Sequence, residues 1–406
     1  MIEIAVGSLL LILLVLLLTI GLLAARNTLI PQESLIVTVN SQTRIDAARG
    51  DVLLSVLQAA GVAVPAACGG KGTCGLCRVA VSGKGAGVAV ATERGILSPS
   101  ERKDHIRLAC QVNLRGAVDV SVASGMLDAE GFDCQVRSNR MLAPLIRELV
   151  LDLPDGKEID FRAGAFMQLH APPYDLDFSR LDIPAPFAET WRISGWTDLQ
   201  GGSDRPVSRA YSIANRPEDA GSLVFNIRLA VPPAGQEREV PPGIVSSYLF
   251  SLKAGDRIGA AGPFGEFHAQ PTCKDMVFIG GGVGMAPLRA LIHEQIGQGT
   301  GRRMSYFYGA RTAADLFYVD EFDRIAAEHD TFSWTPALSD PAPGDRWTGE
   351  AGFIHQTVRK TMSAHPAPED CEYYLCGPPV MISAVIATLE QLGVERRFIF
   401  NDDFGA

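Results

Sequence analysis

The stretch from Cys68 to Cys110 constrains this 406-residue chain more than any other. It runs Cys68-Gly-Gly-Lys-Gly-Thr-Cys74-Gly-Leu-Cys77, a C-x5-C-x2-C loop, and Cys110 follows 33 residues after Cys77. Three thiolates on one glycine-rich loop and a distant fourth can enclose a [2Fe–2S] rhomb. Gly69, Gly70, Gly72 and Gly75 let such a loop take positive φ and turn amide N–H groups toward the cluster sulfurs. A disulfide set and a zinc site are the alternatives. Three cysteines within ten residues on a glycine loop favour metal over disulfides. Zinc more often shows two C-x2-C pairs, where this chain has one pair and two singles. The expected metal ligands are Cys68, Cys74, Cys77 and Cys110, around one cluster.

A second constraint lies at residues Ile4–Ala25, which are 22 residues without a charge. At 1.5 Å per residue a helix of that length crosses a hydrocarbon core of about 30 Å. A signal peptide would carry basic residues before a shorter apolar core, and Met1-Ile-Glu3 has no positive charge. The expectation is an uncleaved transmembrane helix over 4–25. Arg26 supplies only a slight positive-inside bias. Thiolate chemistry says more about orientation. A cluster plus four unpatterned cysteines, Cys134, Cys273, Cys371 and Cys376, suits a reducing compartment. The bulk of the chain is therefore expected on the cytoplasmic side. Its length predicts two to four domains, and a net charge of −10 excludes a nucleic-acid partner.

Three soluble domains are expected, over 34–127, 128–270 and 271–406. In the first, Leu35–Val39 alternates as a strand, Asp51–Ala60 reads as a short helix ended by Gly61, and Arg78–Val81 and Val118–Val122 read as strands. That is a small β-grasp arrangement. The stretch Ser82–Arg107 carries no visible metal chemistry. The second domain is β-rich, with glycine and proline punctuation. The third opens on a buried strand, Met276–Ile279, then Gly280-Gly281-Gly282-Val-Gly284-Met-Ala-Pro287 and a helix to about Gln298. Strand, glycine turn and helix form an α/β dinucleotide-binding arrangement, with a pyrophosphate on the helix N-terminus. Pro287 suits the first helical turn, where no amide bond is lost. Tyr308-Gly-Ala-Arg311 and Tyr374-Leu-Cys376-Gly377-Pro378-Pro379 follow later strands.

The centre of the second domain, Arg209-Ala-Tyr211-Ser212-Ile-Ala-Asn215, resembles the R-x-Y-S signature of the ferredoxin–NADP reductase superfamily, an antiparallel barrel that binds FAD. A flavin needs an aromatic plane, a cation for its pyrophosphate and a hydrogen bond near N5. Tyr211, Arg209 and Ser212 match those roles, and Asn215 completes the motif. Gly243, Ser246 and Ser247, at a glycine turn before a helix, are further phosphate candidates. Pro287 in place of a third glycine is the superfamily's own version of the dinucleotide loop. The resemblance sets the Cys376 thiol beside nicotinamide C4. It also aligns Ala337-Leu-Ser339-Asp340 with the Ser-Arg pair of NADPH-specific relatives. Asp340 there would repel a 2′-phosphate and predicts a preference for NADH, with Arg311 as a competing cation.

The order ferredoxin, FAD barrel, nicotinamide domain is similar to bacterial oxygenase reductases. Three features narrow the likeness. They are the apolar run 4–25, a first cysteine gap one residue longer than the plant-type C-x4-C-x2-C, and the ending Asn401-Asp-Asp-Phe404-Gly405. An insert between Ala171 and Arg205 with Tyr174, Trp191 and Trp196 adds to them. Together they resemble the F subunits of the Na+-translocating NADH:quinone reductases. The resemblance implies NADH as substrate, one FAD and one [2Fe–2S] cluster. It implies hydride transfer to FAD and single electrons passed through the cluster to the other subunits of a six-subunit inner-membrane complex. That complex reduces ubiquinone and exports sodium. Phe404 would stack on the flavin and yield to nicotinamide. Two rival readings remain. An oxygenase reductase would not need Ile4–Ala25, and a membrane-tethered ferredoxin carrier would not retain the flavin, nicotinamide and C-G-P-P signals together. Ile4–Ala25 holds no carboxylate, so this chain is not expected to conduct the ion itself.

Overall fold

The computed structural model describes residues 13–19, 34–66, 68–122, 130–219, 221–237, 239–342, 344 and 346–403. Of the predicted span 4–25 only 13–19 fall among them, and these are helical and exposed. The rest of that span and Phe404 lie outside the described residues. Among the described residues no helix is long and apolar enough to cross a membrane. The chain divides into two compact units, one of residues up to Gly61 with Arg78–Val122, the other of Val62–Cys77 with the chain from Ala123 onward.

The first unit is built on a five-stranded mixed sheet. Its order is Thr43–Ala48, Ser34–Val39, Val118–Ser121, Arg78–Ser82, Ile106–Leu108. Only the Ser34–Val39/Val118–Ser121 pair is parallel. Val37, Val39, Val79, Val81, Val118 and Val120 point inward at alternate positions. The helix Leu53–Ala59 buries Leu53, Leu54, Val56 and Leu57, giving the expected β-grasp arrangement. That helix is shorter than Asp51–Ala60, because Asp51 closes a turn by accepting from the Ala48 amide at 2.8 Å.

Two strands escape a reading by periodicity. Thr43–Ala48 buries only Ala47 and is held by pairing after a turn with Asn40 and Ser41 at positive φ. Ile106–Leu108 is held by its middle residue. Arg107 reaches the fully buried Glu93 through Nε at 2.8 Å and Nη2 at 2.9 Å, and donates further to the carbonyls of Ala86, Gly87 and Val88. The amides of Val90 and Leu108 also reach that carboxylate. Burial alone would raise the Glu93 carboxyl, but Arg107 and these amides hold it below its ordinary value. The segment without visible metal chemistry thus carries a satisfied buried ion pair two residues before Ala109–Gln111.

The second unit holds two sheets. One is antiparallel, in the order Val207–Ser212, Phe166–Ala171, Arg257–Phe264, Glu130–Ala143, Ile146–Asp152, Ser222–Arg228. A bridge between Ile213 and Phe225 joins its two ends and closes a barrel. Leu149, Leu151, Met167, Leu169, Phe225 and Ile227 fill it. The 171–205 insert folds onto this barrel. Its helix Ala185–Ile193 buries Trp191, whose Nε1 donates to Pro144 O at 2.6 Å and whose ring packs against Phe178 and Phe250.

The other sheet is wholly parallel, in the order Glu350–Ala351, Phe332–Leu338, Met304–Ala310, Met276–Gly281, Glu372–Gly377, Ile399–Asp403. Met276 and Phe278 join the core under the helix Met285–Gly297, and Val277 and Ile279 join that under the helices Ile354–Met362 and Pro379–Gln391. Burial on both faces explains the unbroken apolar run that opens this domain. Strand order reverses between Met276–Gly281 and Glu372–Gly377, and ligands of such sheets sit in the crevice at that reversal.

Candidate functional site

The glycine loop and the C-G-P-P turn meet at this reversal, backbone against backbone. A Cβ added at Gly284 would stand 2.0 Å from Cys376 O, and one at Gly377 would stand 3.0 Å from Gly281 O. The helix Met285–Gly297 starts there, with Pro287 buried in its first turn. Tyr308 Oη donates to Gly282 O at 2.9 Å and steadies the loop. Cys376, next to last in its strand, is fully buried within the same core as Tyr306, Tyr308 and Met285.

A cavity of about 270 Å3 opens beside the loop. The R-x-Y-S strand lines it with Arg209, Tyr211 and Ser212, the turn before the helix Ile244–Ser251 with Gly243 and Ser246, and the glycine loop and its helix with Val283 and Ala286. Arg209 donates to Ser208 O at 2.7 Å, and no carboxylate pairs with it among the described residues. Burial pushes its guanidinium below the ordinary value. A half-buried cation without a counter-ion fits an anionic ligand such as a diphosphate. Burial likewise raises the Tyr211 phenol, so it remains a neutral ring. The Ser212 hydroxyl lies 3.5 Å from Asp402 Oδ2 on the last strand. A more open cavity of about 680 Å3, lined by Tyr174, Asp175, Ser203 and Arg205 of the insert, shares Ile244 with the first.

Two expected flavin residues stand elsewhere. Asn215 does not line the cavity. Its amide holds a turn, accepting from Val224 N at 2.8 Å and donating to Ser222 O at 2.9 Å. Ser247 is buried in the helix behind. Asn226, Arg228 and Ala230 line the cavity, and no sequence motif singles them out. A signal existed for Asn226, the polar residue in Leu-Val-Phe-Asn-Ile, which is buried against the strand's alternation.

Of the four expected cluster ligands, Cys68, Cys77 and Cys110 are buried and Cys74 is half-buried, and none of the chain's eight cysteines forms a disulfide. All four loop glycines take positive φ. The loop brings the Cys68 and Cys74 thiols together, and their hydrogen bond and burial hold the Cys74 thiol well above its ordinary value. Among the described residues no three His, Cys, Asp or Glu side chains gather at one metal point. A two-iron cluster takes two thiolates per iron, and Cys68 and Cys74 are one neighbouring pair of thiols. In the first unit Gln111 Nε2 lies 3.5 Å from Cys110 Sγ. In the second, Gly69 approaches Arg209 so closely that an added Cβ would stand 2.8 Å from Nη2.

On the far edge of the crevice Arg311 and Asp340, read from the sequence as opposed features, form one exposed ion pair at 3.2 Å. The Ser339 amide donates to Ala310 O at 3.0 Å and joins the two strand ends.

Three family models match this architecture in order: a 2Fe-2S iron-sulfur cluster binding domain over 37–115, an oxidoreductase FAD-binding domain over 197–269 and an oxidoreductase NAD-binding domain over 278–386. A Methylococcus capsulatus protein, named as the F subunit of a Na(+)-translocating NADH-quinone reductase, is 44% identical over 100% of both chains. The Haemophilus ducreyi protein of the same name is 44% identical over 97% of this chain and 96% of its own. This chain belongs to the family of these F subunits. Among solved structures, an Amycolatopsis cytochrome P450 reductase superposes with a TM-score of 0.61 at 27% identity, covering 92% of this chain and 99% of its own. The ferredoxin reductase of a carbazole 1,9a-dioxygenase gives 0.59 at 24%, covering 92% and 98%, a likeness of fold alone. This chain therefore shares its fold with both of these reductases.

Proposed function

We propose that this chain is the NADH-oxidising subunit of a Na+-translocating NADH:ubiquinone reductase. The observation that carries the reading is one cavity lined both by Arg209, Tyr211 and Ser212 and by Val283 and Ala286 of the dinucleotide loop. When bound, nicotinamide, flavin and an iron–sulfur cluster together turn a two-electron donor into single electrons, since a flavin handles both. Arg209 places a cation for the FAD pyrophosphate, Tyr211 offers an aromatic plane, and Ser212 a hydroxyl at the ring edge. Gly243 and Ser246 receive phosphate, Ser247 packs behind them in the helix, and Asn215 supports the motif through its turn. Gly280, Gly281, Gly282, Gly284 and Pro287 seat NADH on the helix N-terminus. Cys376, Gly377 and Pro378 flank the nicotinamide, and Phe404 covers the flavin until the nicotinamide arrives. Cys68, Cys74, Cys77 and Cys110 hold the cluster. Asp340 cancels the Arg311 charge that a 2′-phosphate would seek.

The domains are taken as 34–127, 128–270 and 271–406, with 4–25 a single transmembrane helix in the inner membrane and the soluble part on its cytoplasmic side. Electrons leave to partner subunits of a six-subunit complex that reduces ubiquinone and exports sodium. Purification from membranes tests this, with assay of NADH oxidation by ferricyanide. Cys110→Ala should lose the [2Fe–2S] electron paramagnetic resonance signal and keep ferricyanide reduction. Isolation without membrane subunits, or NADH oxidation lost along with the cluster, would refute the reading.

A further inference from the structure

Asn226 is 4% exposed and lines the cavity of Arg209 and Tyr211. Its Nδ2 donates to Tyr318 Oη at 2.9 Å, and its Oδ1 is buried with no hydrogen-bond partner among the described residues. An unmatched buried carbonyl is costly unless a ligand meets it.

The bonds behind Asn226 decide which end of the amide meets Tyr318. Tyr318 has one proton and gives it to Glu148 Oε2, while Arg140 Nε binds the other oxygen of that carboxylate at 2.6 Å. The phenol oxygen is left to accept, so the NH2 of Asn226 must face it and the carbonyl must face away. Burial and the Glu148 charge push the phenol above its ordinary range, so it keeps that proton. The Arg289 guanidinium lies 4.7 Å over the Tyr318 ring. Tyr318 itself caps the helix Val319–Glu328 at φ +59, a conformation that side chains adopt at a cost.

We infer that Asn226 is a flavin-binding residue whose carbonyl accepts a hydrogen bond from a flavin ring N–H or ribityl hydroxyl, and that Tyr318 is the positioning residue that sets the amide. The inference rests on the reading of this cavity as the flavin site. It gives a second-domain residue its orientation from a third-domain tyrosine.

The test is FAD titration of the purified full chain, with the visible flavin spectrum recorded at saturation. Asn226→Leu should raise the FAD Kd about tenfold and Tyr318→Phe about threefold. The double variant should bind no more weakly than Asn226→Leu, because Tyr318 acts only through the amide. Asn226→Asp keeps an oxygen toward the cavity. Burial favours its protonated form, whose hydroxyl donates to Tyr318 as the amide did, so its affinity should stay within about twofold. A shift of the visible bands in Asn226→Leu assigns the donor to the ring, and unchanged bands with raised Kd assign it to the ribityl chain. Unchanged affinity in Asn226→Leu overturns the inference, as does equal loss in the Leu and Asp variants. So does a double variant near thirtyfold, the product of the two singles. Arg209→Leu is the parallel control. If it loses FAD while Asn226→Leu does not, only this inference fails; if it keeps FAD, the cavity reading fails.

Discussion

Two glycine-rich loops carry the chemistry of this chain, and glycine serves a different purpose in each. Between Cys68 and Cys77 every glycine takes positive φ, from +67° at Gly75 to +88° at Gly70. There glycine supplies a conformation that side chains resist. In the loop 280–284 only Gly282 does so, at +56°. Gly284 is needed for room, because a Cβ would meet the Cys376 carbonyl at 2.0 Å, and at Gly280 and Gly281 it would crowd the Tyr306 and Met381 side chains. One loop bends through left-handed backbone. The other is a seam that lets two strand ends close into a crevice. Substitutions should therefore fail in different ways.

The largest effect is expected at the seam. In Gly284→Ala neither the Cys376 backbone nor the helix start can withdraw, so the change should cost about 3 kcal/mol. A thermal scan should show several degrees lost, with NADH oxidation gone. A variant of unchanged melting temperature and activity would break the packing half of the comparison.

The helix that follows this loop is tied down by charge, which makes the seam acid-sensitive. Arg289 Nε and His293 Nε2 reach Glu321 Oε1 at 2.6 and 2.7 Å, and Arg289 Nη1 donates to Ala214 O at 2.7 Å. Burial would raise the Glu321 carboxyl, but His293 and Arg289 bring it from 4.5 down to about 2. A depressed folded value stabilises above the unfolded one. On the order of 3 kcal/mol is therefore present at neutral pH and lost as pH falls from about 4.5 to about 2. Urea unfolding across that window should show the loss. Glu321→Gln should remove this contribution at pH 7 and flatten that limb.

A smaller cost is expected in the cysteine loop. Gly72→Ala forces an alanine into φ +78°, at about 1–2 kcal/mol. Iron content and the cluster's paramagnetic signal should fall while NADH oxidation by ferricyanide holds. Loss of NADH oxidation in this variant would erase the distinction between the loops. The smallest effect concerns specificity. Asp340→Arg removes the partner of Arg311 at an exposed site and leaves stability alone. It should raise kcat/KM for NADPH about tenfold, the scale of a new charged hydrogen bond. An unchanged NADH/NADPH ratio would show that the pair does not read the ribose.

Motifs whose chemistry is local were legible in the chain itself: the cysteine spacing, R-x-Y-S, the glycine loop before a helix, and C-G-P-P. What each residue does within a motif was less so. Asn215 reads as a flavin contact because it ends the signature, yet its amide spans the turn to Val224. The stretch Ser82–Arg107 showed no metal chemistry, and nothing in it marked Glu93 and Arg107 as a pair, yet they are buried together. Their partners are separated in sequence, and burial of a charge depends on what the chain returns to place beside it.

By itself the sequence determined the order of three domains and the motifs that mark them, because spacing within a loop or strand is a local property. Tertiary structure alone decided the rest. It made Arg311 and Asp340 one pair, set the Asn226 amide against Tyr318, and folded the 171–205 insert over the barrel through Trp191. Each of these depends on the distance between groups far apart along the chain. That distance follows from how strands pair and cores close, which no local pattern encodes.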